Sequence, residues 1–223
     1  MLVSEDDLIS HIVGDPSLQF QLKNGDNEEE TLFYEVFYDK EISLQYRNSE
    51  NQESLDRVVR LRVMTYKEDT ILQQMKFEIL DDSDLYYFVE SIINEEKFRQ
   101  LKKEYQLNID FESFPDEVRF MLDDCQTTDG ETQVIFVEEN DGSGAMLFSQ
   151  ALDLKSVEVL KLKFDLVDPE FVQKQVQYRF DQMRAFLDKN KAILAEFNKQ
   201  MHSKSPILLK SINNPSRTPR KFK

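Results

Sequence analysis

Alternation with a period of two dominates the first two thirds of the chain. Val59, Leu61 and Val63, then Phe77 and Ile79, recur at every second position, the spacing of a half-buried strand. Strands are predicted over 32–46, 55–66, 71–80 and 85–93. Two helices should follow: residues 95–105, where Phe98 and Leu101 lie three apart, and a second with Pro115 in its first turn ahead of Val118, Met121 and Leu122. Strands then resume over 133–138, 145–148 and 157–167. Glu139-Asn140-Asp141-Gly142-Ser143-Gly144 between the first two is a strong hairpin turn signal. The fold class expected is α+β: a mostly antiparallel barrel or sandwich clasping an inserted helix-turn-helix and followed by one long helix.

That last helix is the clearest element. Asp168-Pro169-Glu170 supplies an N-cap, a proline at the first helical position and a first-turn acid, and no Gly or Pro follows before Pro206. Val176, Phe180, Met183, Leu187, Asn190, Leu194, Phe197 and Met201 alternate by four and three along it, a heptad seam with one polar position. Two outcomes stay open: a short coiled-coil stub, or a stripe folded back on the sheet of its own chain. The division expected is an N-terminal extension with a mobile linker over 1–30, a head over 31–168, a helix over 169–202 and a basic disordered tail over 203–223. Within the extension, Ser4 and Asp7 ahead of Leu8, Ile9 and Ile12 predict a small helix. Residues 23–30, with turn formers and like charges, read as linker.

Charge sharpens this division. The net charge is -15, yet residues 169–223 hold 12 of the 28 Lys and Arg and only 4 of the 43 Asp and Glu, so the body carries -23 and the C-terminal part +8. Such a body repels nucleic acid, and only the tail offers a basic surface, suited to an acidic neighbour. Thr218-Pro219-Arg220-Lys221 in that tail has the pattern of a proline-directed phosphorylation site. No run of apolar residues is long enough to span a bilayer, and one cysteine, Cys125, excludes an internal disulfide and fits a reducing cytoplasm.

Candidate chemistry is sparse. The two histidines, His11 and His202, lie in the terminal regions, and five glycines form no phosphate-cradling loop. Asp123, Asp124, Asp129 and Glu131 cluster without the spacing of a calcium loop, and adjacent acids such as Asp81 and Asp82 are expected in so acidic a chain. No catalytic residue, metal or cofactor is expected, and function is sought in assembly.

An ordered set of motifs carries a resemblance: Phe77-Glu78-Ile79-Leu80-Asp81-Asp82, Leu85-Tyr86-Tyr87-Phe88, Asn94-Glu95-Glu96-Lys97-Phe98-x-x-Leu101-Lys102, Leu107-x-Ile109-Asp110-Phe111-x-x-Phe114-Pro115 and Met121-Leu122-x-x-Cys125. Together they resemble the N-terminal head of the centriolar cartwheel protein family, spindle assembly abnormal protein six, more loosely over residues 31–175. The resemblance implies a head shared in fold with the DNA end-joining scaffolds, with Phe98, Leu101, Phe111, Phe114 and Pro115 in its core motif. It also implies a head-to-head contact through a large apolar residue on the loop 149–155, matched by Leu154 with Leu152, Asp153 and Lys155 around it, and a separate contact through the helix. The family usually has an aromatic where Leu154 stands, which implies a weaker contact. The 34 helical residues in place of a long stalk look like the short cartwheel-like paralogue of flagellated and ciliated protists. The function implied is that of a structural, self-assembling homo-oligomer of the centriole, basal body, flagellar base or apical cytoskeleton, with other centriolar or axonemal proteins as partners of the tail. The alternative is an adaptor of the end-joining scaffold fold that binds a repair partner or DNA.

Overall fold

The computed structural model describes residues 14–23, 29–50, 54–152 and 154–204. They divide into two compact units at Val176/Gln177. The predicted helix over 4–13 and the tail beyond residue 204 lie outside the described residues.

The first unit is built on a closed seven-stranded barrel in the order β3-β4-β5-β6-β9-β8-β7. Its strands are β3 (Glu35–Asn48), β4 (Ser54–Glu68), β5 (Ile71–Leu80), β6 (Phe88–Asn94), β7 (Thr132–Glu138), β8 (Gly144–Leu152) and β9 (Lys155–Leu166). Neighbours are antiparallel except at the closure, where β3 and β7 run parallel over four pairs from Gln45↔Ile135 to Asn48↔Glu138. Val59, Leu61, Val63, Phe77 and Ile79 are buried in the main core, as their period of two requires. At the hairpin between β7 and β8, Gly142 has φ +88°, and a Cβ on Gly144 would lie 2.5 Å from the Val137 carbonyl oxygen; both positions demand glycine.

The inserted pair consists of α1 (Glu95–Tyr105) and α2 (Phe114–Asp124). Asn94 caps α1 by accepting the Lys97 N–H at 3.0 Å, and Gln106, at φ 54°, ends it in the left-handed conformation, its N–H bonding to the Lys102 carbonyl. A single 3₁₀ turn, Phe111–Ser113, leads into α2, and Glu112 there accepts the Leu72 N–H of β5 at 2.7 Å. The Phe98 ring lies 5.2 Å from Phe111 and 5.0 Å from Phe114, so aromatic packing joins the two helices to each other, and all three rings belong to the main core that the barrel strands line.

The expected strand over 32–46 is divided at Tyr34, several other ends shift by one or two residues, and three further differences from the sequence expectation have a local cause or consequence. Residues 84–87 form a turn, because Asp84 accepts the Tyr86 N–H with its carboxylate and the Tyr87 N–H with its carbonyl, and the strand starts only at Phe88. Residues 149–152, expected in a loop, continue β8. Most consequentially, the expected linker over 23–30 contains strand at both ends. β1 (Gln19–Lys23) and β2 (Glu29–Phe33) pair antiparallel from Gln19↔Phe33 to Lys23↔Glu29, and the head therefore reaches back at least to Asp15. Leu18 and Tyr34 cover Met64 on the outer face of β4, which explains why Leu61 through Thr65 are all buried.

The long helix α3 (Pro169–Lys204) follows β9. Its first residues belong to the head: Phe171, Val172 and Val176 pack with Leu80 and Phe88.

Candidate functional site

The hairpin β8–β9 carries the most exposed large apolar residue of the described chain. Leu152 pairs with Lys155, which leaves a two-residue connection, Asp153 and Leu154. Asp153 lies outside the described residues. Leu154 is 98% exposed and Leu152, at the end of β8, is 52% exposed. Leu154 precedes the strand, which begins at Lys155.

The stem beneath the tip is braced on both sides. Ala151 donates its N–H to the Glu131 carbonyl at 2.8 Å, and the Tyr105 hydroxyl of α1 donates to Glu158 of β9 at 3.2 Å. A bulge between Phe148 and Ser149, where the partner shifts from Leu160 to Glu158, adds twist below the tip. A fully solvated leucine forgoes roughly 1.5–3 kcal/mol of burial. Next to the closing pair of a braced stem, it is placed to bury against another surface with little further loss of backbone entropy.

The second surface lies on α3. Val176 is half-buried and packs against the head cluster. Phe180, Met183, Leu187, Leu194 and Phe197 are each more than half exposed, and Asn190 and Met201 are partly exposed. Phe186 and Ile193 beside them are exposed as well, so the apolar face is wider than the heptad reading gave. These two occupy positions next to the four-three series, which a strict count of seam positions passes over.

The remaining sequence candidates have structural explanations. Phe98, Phe111, Phe114 and Pro115 are buried and Leu101 packs against the same core. Asp123 pairs with Lys40 at 2.6 Å, and Asp124 accepts the Thr132 N–H at 2.8 Å, which organises the turn into β7. Asp81 accepts both the N–H and the hydroxyl of Ser83. Burial pushes the Cys125 thiol above its ordinary range, with the neighbouring Asp124 and Asp123 acting in the same direction, so it is a poor nucleophile. His11 and the His202 side chain lie outside the described residues. Among the described residues no group of three or more His, Cys, Asp or Glu side chains is arranged to hold a metal ion, and no helix is long and apolar enough to cross a membrane.

Several solved structures share this fold. An N-terminal fragment of Leishmania SAS-6, a point variant that includes part of its coiled coil, superposes with a TM-score of 0.64 at 18% identity, over 79% of this chain and 99% of that one. The N-terminal coiled-coil dimer of C. elegans SAS-6 gives 0.59 at 16% identity, over 71% and 95%. A Drosophila melanogaster Sas-6 fragment, dimerised via its coiled-coil domain, gives 0.56 at 19% identity, over 79% and 88%. No curated protein sequence matches the chain. The family model of the centriolar protein SAS N-terminal domain matches residues 36–164, from the second residue of β3 to Phe164 of β9, and by that match the chain belongs to this family.

Proposed function

We propose that this protein is a self-assembling structural component of the centriole or basal body, or of the related flagellar or apical cytoskeleton, and that it oligomerises through two separate contacts. The observation that carries this reading is Leu154, 98% exposed at the tip of a braced hairpin. The tip of one head buries Leu154 in a second head, and the exposed face of α3 pairs with the α3 of a second copy. Family membership supports the centriolar setting, and the solved relatives include fragments dimerised through a coiled coil.

Magnitudes set the character of the head contact. One leucine buried on each side contributes roughly 1.5–3 kcal/mol per side chain, about 3–6 kcal/mol for the pair before association costs are subtracted, so the head contact alone is of millimolar order or weaker. A helix seam puts two heads on one particle, so a second head contact between particles already joined forms at high effective concentration.

The test is analytical ultracentrifugation of the full chain and of Leu154→Glu. The wild-type mass is expected to keep rising with concentration in the range where the variant has levelled off, with the thermal transition unchanged. Equal mass curves for the two proteins would remove the head contact. Localisation of a tagged chain away from centrioles, basal bodies and associated cytoskeleton would remove the cellular setting.

A further inference from the structure

β4 has a free edge beside an acidic groove. On one side residues 54–59 pair with β3, from Arg47↔Ser54 to Ile42↔Val59. On the other side the ladder with β5 begins only at Arg60↔Leu80, so residues 55–59 have no strand partner there among the described residues. The chain leaves β5 at Leu80, turns at Asp81, whose carboxylate accepts the Ser83 N–H, turns again at Asp84, and rejoins the barrel at Phe88. The space left between the β4 edge and this double turn is a groove of about 650 Å³. An unpaired strand edge is a template for an added strand, which bonds through its backbone and is selected through its side chains.

The lining states what kind of segment fits. Leu55 and Val58 present apolar surface, 61% and 64% exposed. Five carboxylates surround them, with Glu41 and Asp56 on the barrel side and Asp81, Asp82 and Asp84 on the turn. The two arginines of the lining are already engaged. Arg60 makes two 2.7 Å hydrogen bonds to Asp39, and the Arg57 guanidinium lies 4.7 Å from the centre of the Tyr46 ring and 3.9 Å from Glu138. The groove therefore calls for an extended segment that is apolar at its centre and basic around it.

Such a segment exists in this chain. Residues 207–212 read Ile-Leu-Leu-Lys-Ser-Ile, and residues 205–223 around them hold five Lys and Arg and no Asp or Glu. We infer that residues 207–212 of a second copy add as a strand along residues 55–59 of β4, with the basic residues of the tail against the acids of the groove. This rests on the self-association reading above, which brings a second copy within reach, and it assigns the tail a docking surface of its own.

The test uses the full chain carrying Leu209→Pro as receptor, so that its own tail does not compete, and a fluorescent peptide of residues 205–223 as probe. Saturable binding is expected. Asp56→Lys with Asp82→Lys in the receptor should weaken it at least tenfold. A peptide carrying Leu209→Pro, with unchanged charge, should also bind at least tenfold more weakly, because proline interrupts a strand ladder. Equal binding of the two peptides would reduce the contact to charge alone and overturn the proposal, as would the absence of binding. With the wild-type chain as receptor, block of the probe should grow as receptor concentration rises. Block independent of concentration would mean that each chain's own tail fills its groove, and the second-copy assignment would fall. If the peptide fails while the mass of the full chain still depends on concentration and on Leu154, this docking alone is lost and the assembly reading stands.

Discussion

Gln175 of α3 donates its side-chain amide to Asp15 Oδ1 at 2.9 Å, joining residues 160 positions apart. The same carboxylate oxygen accepts the Ser17 N–H at 2.9 Å, while Oδ2 accepts Arg62 of β4 at 2.8 Å. Gln175 also donates to the Ser17 hydroxyl. Asp15, Ser17, Arg62 and Gln175 are all buried, so a segment before β1, a barrel strand and the root of the long helix meet in one polar knot. In such a place each lost partner leaves a desolvated group behind.

Asp15→Ala removes the closest partner of a buried guanidinium. The other acids near Arg62, Glu78 and Asp39, lie at 3.6 and 3.8 Å. Breaking a buried pair by deleting one member costs about 3–5 kcal/mol, whereas Gln175→Ala deletes a neutral donor and is expected to cost about 1–3 kcal/mol. Urea denaturation should rank the two variants in that order. Midpoints indistinguishable from wild type would mean that the N-terminal segment contributes nothing to the head.

Phe111→Ala is expected to cost about 3–5 kcal/mol, because it empties a site in contact with Phe98 at the junction of the helical pair and the barrel. That is a large share of a domain stability of about 5–15 kcal/mol. Helical circular dichroism and thermal denaturation should report a loss of cooperativity together with a lower midpoint. An unchanged midpoint would contradict the placement of this ring.

Stability should fall at alkaline pH. Burial pushes the Tyr87 hydroxyl up to about 12, and burial likewise raises Tyr46 and, aided by Glu90 and Glu78, Tyr34. Burial alone would lower Lys76, but Glu78 at 2.9 Å and Glu90 at 3.1 Å outweigh it, and the net shift is upward. For each of these groups the folded state holds its proton to higher pH than the unfolded chain. Their contribution is complete below the unfolded values of about 10 and is lost as pH rises through the folded ones. Denaturant midpoints measured from pH 8 to 11.5 should stay level and then decline above about pH 10. A midpoint that rises in that range would reverse the sign assigned here.

How much of this was legible in the sequence depended on where the determining contacts lay. The strand Ile71–Leu80 and the helix Glu95–Tyr105 have the residue bounds the pattern predicted, because alternation fixes the first and the Asn94 cap fixes the start of the second. The hairpin β1–β2 escaped notice because Gln-Phe-Gln-Leu-Lys and Glu-Glu-Thr-Leu-Phe carry few apolar residues and are separated by turn formers. One signal was available: Met64 breaks the alternation of β4 by placing an apolar side chain on the outer face, which has to be covered. The partnership of Asp15 with Arg62 and Gln175 leaves no local trace, since neither periodicity nor spacing joins residues so far apart. The tip of β8–β9 was located through the motif resemblance, whereas the extension of β8 to Leu152 was missed because Ser149 and Gln150 interrupt its apolar run.

The exposed face of α3 decides whether a weak head contact can sustain an assembly. If Phe180, Met183, Leu187, Leu194 and Phe197 form a seam with a second helix, Leu187→Glu with Leu194→Glu should abolish it, since like charges would face each other on two turns, and light scattering should show a halved mass at tens of micromolar. Asn190 gives the opposite prediction. A polar residue at one seam position lowers stability while fixing register and strand number, so Asn190→Leu should strengthen the pairing and broaden the distribution of oligomers. The two helix variants also separate the interfaces. The double Glu variant should retain a head contact that Leu154→Glu removes, but only at concentrations near its millimolar affinity, because the second head is no longer tethered. Equal masses for wild type, the double Glu variant and Asn190→Leu at tens of micromolar would show that the helix does not pair, and the particle would then carry a single weak valence, enough for a dimer and too little for a ring or a filament.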